Sequence, residues 1–573
     1  MRHVAIAVIG VLAAGCGSDG STGSNGAITI EGGANQTGEV GIALQPYSVK
    51  VSNGSGPVDG LTVSWQVASG GGSVSPTSSV TNGQGIAEAV ATLGTQLGSQ
   101  TVRASASGFG SVIFTATAEA GPPVLLVKSA GDGQVGKINQ ALPQNLQVRL
   151  TDQYQNPVSG QSVSWALTSG AGSISAASST TGLDGTASIV HAMGATAGTT
   201  TVTATVTGLG TVTFDSKAIV PLSFSVLGGG NNVPDRTTSD LWVKDGFGYT
   251  GTWGGNGNAV FIWQLDGNGS PVLYDSIVVK DQNGPTIGTV SDIQVSEDGK
   301  WLAFTAEGGP GDGLYAYELT SPGTPVFRAK TIVSAGLHTG TLADIGGKLY
   351  AFTAKDPPSC ALKIFDLSQA GSGTITQASS TPIPDNYCIH DTFVRDGYAF
   401  VFAWNEGLYI FDVGNGSHGG SPTHPVQLSH THGFGGETHN GWWFWNPNGE
   451  KRYLFIGEEG PFNGSNASGD IHVVDVSDFS APVEVGFFHI PNAGTHNFWV
   501  DEPNQILYAA FYNAGVVALD ISGIISGNMA SRELARIQPG GAGNTLTWGV
   551  MLYNGSVYAS DMLSGFWQVS LPH

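Results

Sequence analysis

The sequence has little charge, few basic residues and almost no cysteine. Charged residues make up 11% of the 573 residues, and 21 Lys and Arg stand against 43 Asp and Glu, which gives a formal net charge of −22. A nucleic-acid-binding protein needs a basic surface, so the composition excludes that class of partner. Three cysteines are too few for a disulfide-rich scaffold or for a zinc cluster held by thiolates.

Long apolar runs are also absent, since no segment has the roughly 18 uninterrupted apolar residues of a membrane-spanning helix. Residues 1–15 carry Arg2, a short apolar run and small residues directly before Cys16, which is typical of an export signal. The junction resembles a bacterial lipobox, which implies that Cys16 is lipidated; the alternative is an ordinary signal peptide with a chance cysteine. Residues 16–26 are rich in Gly and Ser and are predicted to be a flexible tether. We therefore expect an exported, membrane-anchored protein. The outer membrane is favoured because Gly17 stands where many lipoproteins retained at the inner membrane have Asp.

The N-terminal part of the chain contains two copies of one sequence pattern. Residues 57–65 (PVDGLTVSW) recur as residues 157–165 (PVSGQSVSW), an offset of 100 positions. Apolar and polar residues alternate around Trp65 and Trp165, and glycine-rich turns separate the short strands, as in a β-sandwich. These features predict two all-β domains, at residues 27–120 and 121–221, each with its tryptophan in the core.

The repeated Pro-Val-x-Gly-x-x-Val-x-Trp block resembles the group 1 bacterial immunoglobulin-like domain of the invasin and intimin type. The resemblance implies a rigid stalk that holds the C-terminal part of the chain away from the cell. Residues 27–221 contain no cluster of histidines, cysteines or paired carboxylates. We therefore expect spacing or adhesion from these domains, and no catalysis.

Residues 222–573 contain a second repeat, with a period of roughly 50 residues. Each unit has an opening segment, an apolar second strand such as 398–403 (YAFVFA), a third strand such as 408–413 (LYIFDV) and a weaker fourth strand. Four strands in a unit of this length predict a blade of a β-propeller, and the seven opening segments predict seven blades. The apolar segment 222–227 is predicted to complete the last blade and so to close the ring.

The third strands end in Asp-Val-Ser at 475–477 and Asp-Ile-Ser at 520–522. This ending resembles the LVIVD-repeat family of bacterial surface propellers, a resemblance that implies a fold and no defined activity. The predicted fold class is all-β, with two tandem Ig-like β-sandwiches followed by a seven-bladed β-propeller. The strand-end aspartates are expected to accept hydrogen bonds from turn N–H groups. They are Asp366, Asp412, Asp475 and Asp520.

Seven residues hold one repeat position at the start of the predicted inner strands, and four of them are histidines. Inner strands line the central channel of a propeller, so these residues are predicted to meet at one mouth. Imidazoles and carboxylates around a cavity can hold one divalent transition metal ion. The alternative, which the sequence favours, is a lock in which the same side chains hydrogen-bond neighbouring loops. The seven residues are Asp240, Asp292, His338, His390, His439, His496 and Trp548.

Loops at the same mouth are predicted to add a supporting rim. The loops between second and third strands supply carboxylates, and the loops that enter blades 5 and 6 supply two histidines. Cys360 and Cys388 map to this mouth on neighbouring blades and are predicted to form a disulfide in an oxidising compartment. The rim residues are Glu307, Asp356, Glu406, Glu458, Glu459, His432 and His489.

Two functions are compatible with these features. The favoured one is a monomeric surface lipoprotein whose propeller binds an extracellular protein, a glycan or a small ligand, because propellers present broad binding faces. The alternative is a metal-dependent enzyme with its site at the histidine-lined mouth of the channel. The sequence identifies neither the partner nor the metal.

Overall fold

The computed structural model describes residues 26–230, 233, 235–265, 269–355, 359–383, 389–460 and 467–572. Regular structure in these ranges is β-strand, with single-turn 3-10 helices at Gly254–Asn256, Ala370–Ser372 and Ala530–Arg532. No helix in the described ranges is long and apolar enough to cross a membrane. Cys16, Asp356 and Cys388 lie outside the described residues, so the lipid anchor and the disulfide with Cys360 stay predictions.

The first β-sandwich consists of two sheets that face each other across one apolar core. Trp65 lies in that core with 3% of its surface exposed, and its ring centroid is 5.8 Å from that of Phe114. One sheet contains Gly26–Gly32, Tyr47–Asn53, Ile86–Thr92 and Ser73–Ser75, with Gly56–Pro57 at its side. The other contains Gln36–Glu39, Gly110–Glu119, Gly98–Ala106, Thr62–Ser69 and Ser78–Val80.

The second β-sandwich repeats this arrangement. Trp165 is 3% exposed and lies 5.8 Å from Phe214, and both tryptophan–phenylalanine pairs have an interplanar angle of 38°. One sheet contains Leu125–Ala130, Leu146–Thr151 and Thr186–Ile189, and a short pair is formed by Gly172–Ile174 and His191–Met193. The other sheet contains Gln134–Lys137, Gly210–Ile219, Gly198–Val206, Ser162–Ser169 and Ser178–Thr180.

Seven blade sheets follow in the described part of the chain, six with four strands and one with a short fifth strand. Blade 1 is Thr237–Lys244, Phe247–Trp253, Ala259–Gln264 and Val272–Val278; blade 2 is Thr289–Val295, Trp301–Glu307, Gly313–Glu318 and Val326–Ile332. Blade 3 is Gly340–Ile345, Lys348–Lys355, Ala361–Asp366 and Thr376–Pro382; blade 4 is Asp391–Arg395, Tyr398–Phe402, Leu408–Asp412 and Val426–Thr431. Blade 5 is Thr438–Phe444, Tyr453–Glu458, Ile471–Asp475 and Val483–Phe488, with Gly527–Asn528 at its edge. Blade 6 is Phe498–Asp501, Ile506–Phe511, Gly515–Asp520 and Glu533–Ile537; blade 7 is Thr547–Tyr553, Ser556–Asp561, Gly565–Ser570 and Val226–Gly230. Lys280–Asp281 and Gly284–Pro285 form a separate hairpin between blades 1 and 2.

The ring closes because a strand from before blade 1 completes blade 7. The closing strand is Val226–Gly230, which pairs with Gly565–Ser570. The predicted strand, residues 222–227, therefore began and ended too early in the sequence. The reason is that the preceding segment packs on blade 6, where Phe224 lies 6.4 Å from Tyr508. Closure brings blade 1 against blade 7, and the backbone N–H of Val243 lies 3.1 Å from the Met551 sulfur.

The second sandwich is fixed to blade 6 by apolar and polar contacts. Ile219 and Phe224 share a buried cluster with Tyr508. The Lys217 ammonium donates to Asp520 Oδ2 at 2.6 Å. These contacts orient the propeller on its neighbouring domain.

The turn role predicted for the strand-end aspartates is confirmed. Each carboxylate accepts a hydrogen bond from a backbone N–H two residues later, as in an Asx turn. The N–H groups of Ser368, Gly414, Ser477 and Ser522 donate to Asp366, Asp412, Asp475 and Asp520 at 2.8, 3.0, 3.0 and 2.8 Å.

Candidate metal centre in the propeller channel

A β-bulge opens the inner strand of the blades and turns two consecutive residues toward the channel. In blade 3 the N–H of His338 donates to the carbonyl of Ala354, and the N–H of Ala354 donates to the carbonyl of Thr339, so two residues oppose one. The ladder shifts at the same point in blades 1, 2, 5 and 7. Bulges of this kind change the direction of side chains, and here they create two levels of channel-lining groups.

We name these levels by their chemistry. The imidazole level holds the first residue of each bulge, and the carboxylate level holds the second. Asp240 and Asp292 were aligned with the histidines by sequence, but the structure places them one residue later, on the carboxylate level. The imidazole level is Ser239, Ser291, His338, His390, His439, His496 and Trp548. The carboxylate level is Asp240, Asp292, Thr339, Asp391, Asn440, Asn497 and Gly549.

The four predicted histidines do meet, and they form most of a ring of aromatic side chains around the channel axis. Trp548 continues the ring, and Trp253 from the second strand of blade 1 completes it. The distances between ring centroids are 4.3 Å for His338–His390, 4.1 Å for His390–His439, 4.0 Å for His439–His496, 4.2 Å for His496–Trp548, 5.2 Å for Trp548–Trp253 and 6.0 Å for Trp253–His338.

Several ligand atoms in this ring converge on a volume the size of one ion. Nε2 of His338 lies 3.1 Å from Nε2 of His390, whereas two nitrogens on one tetrahedral zinc ion are roughly 3.3 Å apart. Oε2 of Glu459 lies 3.7 Å from the same His390 nitrogen. Ligand atoms of His390, His439 and Glu459 all lie within 4.8 Å of one another.

Hydrogen bonds between blades hold only part of the ring: Nδ1 of His338 lies 2.9 Å from Glu307 of blade 2, and Nε2 of His338 lies 3.1 Å from Nε2 of His390 of blade 4. His439 is 1% exposed, and neither of its nitrogens has a partner among the described residues. Nδ1 of His390 and Nε2 of His496 also lack one there. Buried polar atoms are almost always satisfied, so the two unpartnered nitrogens of His439 are candidates for binding a ligand.

Electrostatics keep these imidazoles in the form that binds metal. Burial lowers the pKa of His390, His439 and His496 well below the usual value, and the neighbouring imidazoles lower it further. They are therefore neutral at physiological pH, with a lone pair available. Burial also raises the pKa of Glu459, which accepts a hydrogen bond from the Tyr512 hydroxyl at 2.6 Å.

Two neighbours orient the imidazoles. Oε1 of Glu307 lies 2.9 Å from Nδ1 of His338 and 3.1 Å from the hydroxyl of Ser291, which directs Nε2 of His338 toward the centre. The indole of Trp404 stacks on His390, with 4.8 Å between centroids and 19° between planes. Trp404 has a φ of 49°, an uncommon conformation that seats its side chain there.

The rest of the predicted rim lies away from the ring. Glu458 is fully buried on the other side of its strand, where it accepts from the N–H of Ser468 at 2.9 Å and lies 3.4 Å from His472. Glu406, His430 and His432 form a separate, more exposed cluster. The exposed His489 contacts Asp470. The structure thus joins Glu307 and Glu459 to the four histidines and leaves Glu406, Glu458, His432 and His489 apart.

Sequence reasoning placed Asp240 and Asp292 at this mouth but missed the other polar residues of the carboxylate level and the groups that flank the ring. A signal was present, because each of the four histidines is followed by a polar residue: Thr339, Asp391, Asn440 or Asn497. Burial raises the pKa of Asp240 and Asp391 well above the usual value, and the nearby carboxylate of Asp292 raises it further. Trp253 ends the second strand of blade 1 at the position that Glu307 holds in blade 2, and Tyr512 follows the second strand of blade 6 as Trp404 follows that of blade 4. A search for carboxylates and histidines did not find them.

The fold and the channel together define a β-propeller preceded by immunoglobulin-like domains. Residues 138–219 match the family model of the bacterial Ig-like domain (group 1), and residues 390–423 and 466–489 match that of the LVIVD repeat. No curated protein matches the chain. The Ig-like domain suggests an extracellular or surface protein, and with the propeller fold it suggests a surface or interaction module.

Solved structures similar to parts of the chain share little sequence with it. The β-propeller domain of Myceliophteria thermophila Cps50 (Swd1) is 11% identical, with a TM-score of 0.41, over 58% of this chain and 98% of that one. The D0-D1 domain of intimin is 21% identical, with a TM-score of 0.16, over 34% and 96%. A functionally unknown protein from Desulfotomaculum acetoxidans is 10% identical, with a TM-score of 0.38, over 59% and 95%.

Proposed function

We propose that the protein is an exported surface protein whose propeller binds one first-row divalent metal ion at the imidazole level. One observation carries the proposal: His439 is buried between His390 and His496, at centroid distances of 4.1 and 4.0 Å, with both nitrogens unpartnered among the described residues. A lock between blades would give such a side chain hydrogen bonds. A metal ion would use the lone pair that the protein leaves free.

The donor set selects the kind of metal. Imidazole nitrogens suit zinc, copper, iron and nickel, whereas calcium and magnesium prefer oxygen ligands. His390, His439 and Glu459 offer ligand atoms within 4.8 Å of one another, Nε2 of His338 lies 3.1 Å from Nε2 of His390, and the ring of His496 contacts that of His439. An ion held there would offer Lewis-acid or redox chemistry, with the Tyr512–Glu459 pair holding a proton beside it. A metal-dependent activity at the channel therefore becomes the favoured function, ahead of binding by an outer face of the propeller.

Metal analysis of purified, tag-free protein tests this proposal. After incubation with zinc, copper, iron(II) or nickel and dialysis, we expect about one ion per wild-type chain. His390→Ala and His439→Ala should each lower the content at least roughly tenfold, because each removes a ligand. His424→Ala is the matched control, since His424 is an exposed histidine of blade 4. A wild type without metal, or full retention in both ring variants, would show the proposal to be wrong.

We also propose that a lipid on Cys16 and the two Ig-like domains carry the propeller at the outer membrane, outside the cell. The small residues before Cys16 support the lipid anchor, and Gly17 in place of Asp after it supports the outer membrane. Cys16→Ser should move the protein from the membrane fraction to the soluble fraction, whereas Ser18→Ala should stay with the membrane. Membrane retention of Cys16→Ser would contradict the anchor.

A further inference from the structure

A cavity of about 220 Å³ lies in the channel next to the carboxylate level. Its wall includes the carboxyl groups of Asp240, Asp292 and Asp391, and among its described lining residues there is no Lys or Arg. Three carboxyl groups therefore line one cavity without a Lys or Arg beside them among the described residues. A cation bound there would stabilise the charged form of these buried carboxyl groups.

A second, independent feature of the wall calls for a hydrogen-bond donor. Asn440 is 4% exposed and lines the cavity, and its Oδ1 has no partner among the described residues. A buried acceptor without a donor costs free energy, so a bound molecule with N–H groups would satisfy it. Asn440 belongs to the same level as the three carboxyl groups, one blade beyond Asp391.

Calcium fits this wall poorly because several of the oxygens already accept hydrogen bonds. Asn497 Nδ2 donates to Asp240 Oδ1 at 2.9 Å, and Thr392 N donates to Asp391 Oδ1 at 2.7 Å. The N–H groups of Ile293 and Gly340 occupy the two oxygens of Asp292 at 2.6 and 2.8 Å. Calcium takes six to eight oxygens, whereas an alkylammonium group needs acceptors for only three N–H donors.

The remaining wall is aromatic. Trp242, Trp442 and Trp499 line the cavity, with centroid distances of 6.0 Å for Trp242–Trp499 and 5.2 Å for Trp442–Trp499. Indole faces attract organic cations and pack against apolar groups. The volume corresponds to roughly seven water molecules at about 30 Å³ each, which limits the occupant to a small molecule.

We propose that this cavity binds a small organic cation, with its ammonium group on Asp240, Asp391 and Asn440 and its apolar body against the three indoles. The site adjoins the proposed metal centre, because His338, His390 and His496 also line the cavity, but none of these six side chains is a proposed metal ligand. The proposal therefore holds for metal-free protein as well.

Titration calorimetry with benzylammonium and with benzyl alcohol tests this site in the full-length chain. We expect one benzylammonium per chain, bound at least roughly tenfold more tightly than the neutral alcohol of similar size, because charge-assisted hydrogen bonds add to the apolar contact. Asp240→Asn and Asn440→Leu should each weaken benzylammonium at least roughly tenfold. Asp275→Asn, at an exposed carboxylate of blade 1, should leave the affinity unchanged.

Three results of the titrations with amine and alcohol would overturn the proposal. They are equal affinity for amine and alcohol, no binding of benzylammonium to folded wild type, and an unchanged affinity in both Asp240→Asn and Asn440→Leu. Stoichiometric binding of calcium without binding of the amine would also overturn it, in favour of an inorganic cation.

Repeating the titration with His439→Ala separates the two sites, because that variant should lose the metal and keep the amine. Asn440→Leu, which removes an unpartnered buried acceptor, provides a folded variant if Asp240→Asn is unstable.

Discussion

His439→Leu is expected to raise the melting temperature of the metal-free propeller and to abolish the rise that zinc gives the wild type. In the metal-free protein, His439 buries two nitrogens without partners among the described residues. Leucine has a similar volume and no polar atom, so the substitution should stabilise the fold by about 1–2 kcal/mol. Zinc at about a thousand times its dissociation constant should stabilise the wild type by about 4 kcal/mol and the variant by almost nothing.

The matched control is His338→Leu in the same ring. Nδ1 of His338 lies 2.9 Å from Glu307, so its loss leaves a half-buried carboxylate without that partner. We expect this variant to lower the stability of the metal-free protein by about 1–3 kcal/mol. Calorimetry with and without zinc measures both variants. If His439→Leu instead destabilised the metal-free protein by more than about 1 kcal/mol, the histidine would be acting as a lock between blades.

The meeting of the four histidines could be predicted because a propeller converts one repeat position into one place around the axis. His338, His390, His439 and His496 recur at similar intervals, and their rings are in contact. The alignment failed in blades 1 and 2 because a bulge presents two neighbouring residues. Where the first of them is Ser239 or Ser291, the more conspicuous Asp240 or Asp292 was matched to the histidines.

Adjacent carboxylates show a second limit of sequence reasoning. Glu458 and Glu459 were both assigned to the rim, but consecutive residues at the end of a strand point to opposite sides. Glu459 Oε2 lies 3.7 Å from His390, whereas Glu458 is fully buried beside His472. The choice between a lock and a metal centre was also beyond the sequence, because it depends on which nitrogens find hydrogen-bond partners.

The two tryptophans of the Ig-like domains were predicted correctly because sequence repetition reproduces packing as well as strand order. The indole N–H of Trp65 donates to Ser79, and that of Trp165 donates to Ser179, both at 2.8 Å. The serines are also 100 positions apart. Because the two cores have the same contacts, the same truncation should lower the free energy of unfolding of each domain by a similar amount. The domains differ in their neighbours, since the second one packs on blade 6.

Trp165→Ala is expected to lower the free energy of unfolding of the second sandwich by about 3–5 kcal/mol, because it removes the largest side chain of that core and leaves a cavity. A domain of this size is stable by about 5–15 kcal/mol, so the loss is a large fraction. Trp65→Ala should cost the first sandwich a similar amount, and Leu183→Ala, at a side chain 90% exposed, should change stability by less than about 0.5 kcal/mol.

Denaturant-dependent proteolysis of the full chain, with cleavage sites mapped by mass spectrometry, measures the stability of each domain. Trp165→Ala should also expose the Ile219–Phe224 contact with blade 6 to cleavage, whereas Trp65→Ala should leave it protected. A loss below about 1 kcal/mol for either tryptophan would contradict its role as the centre of the core.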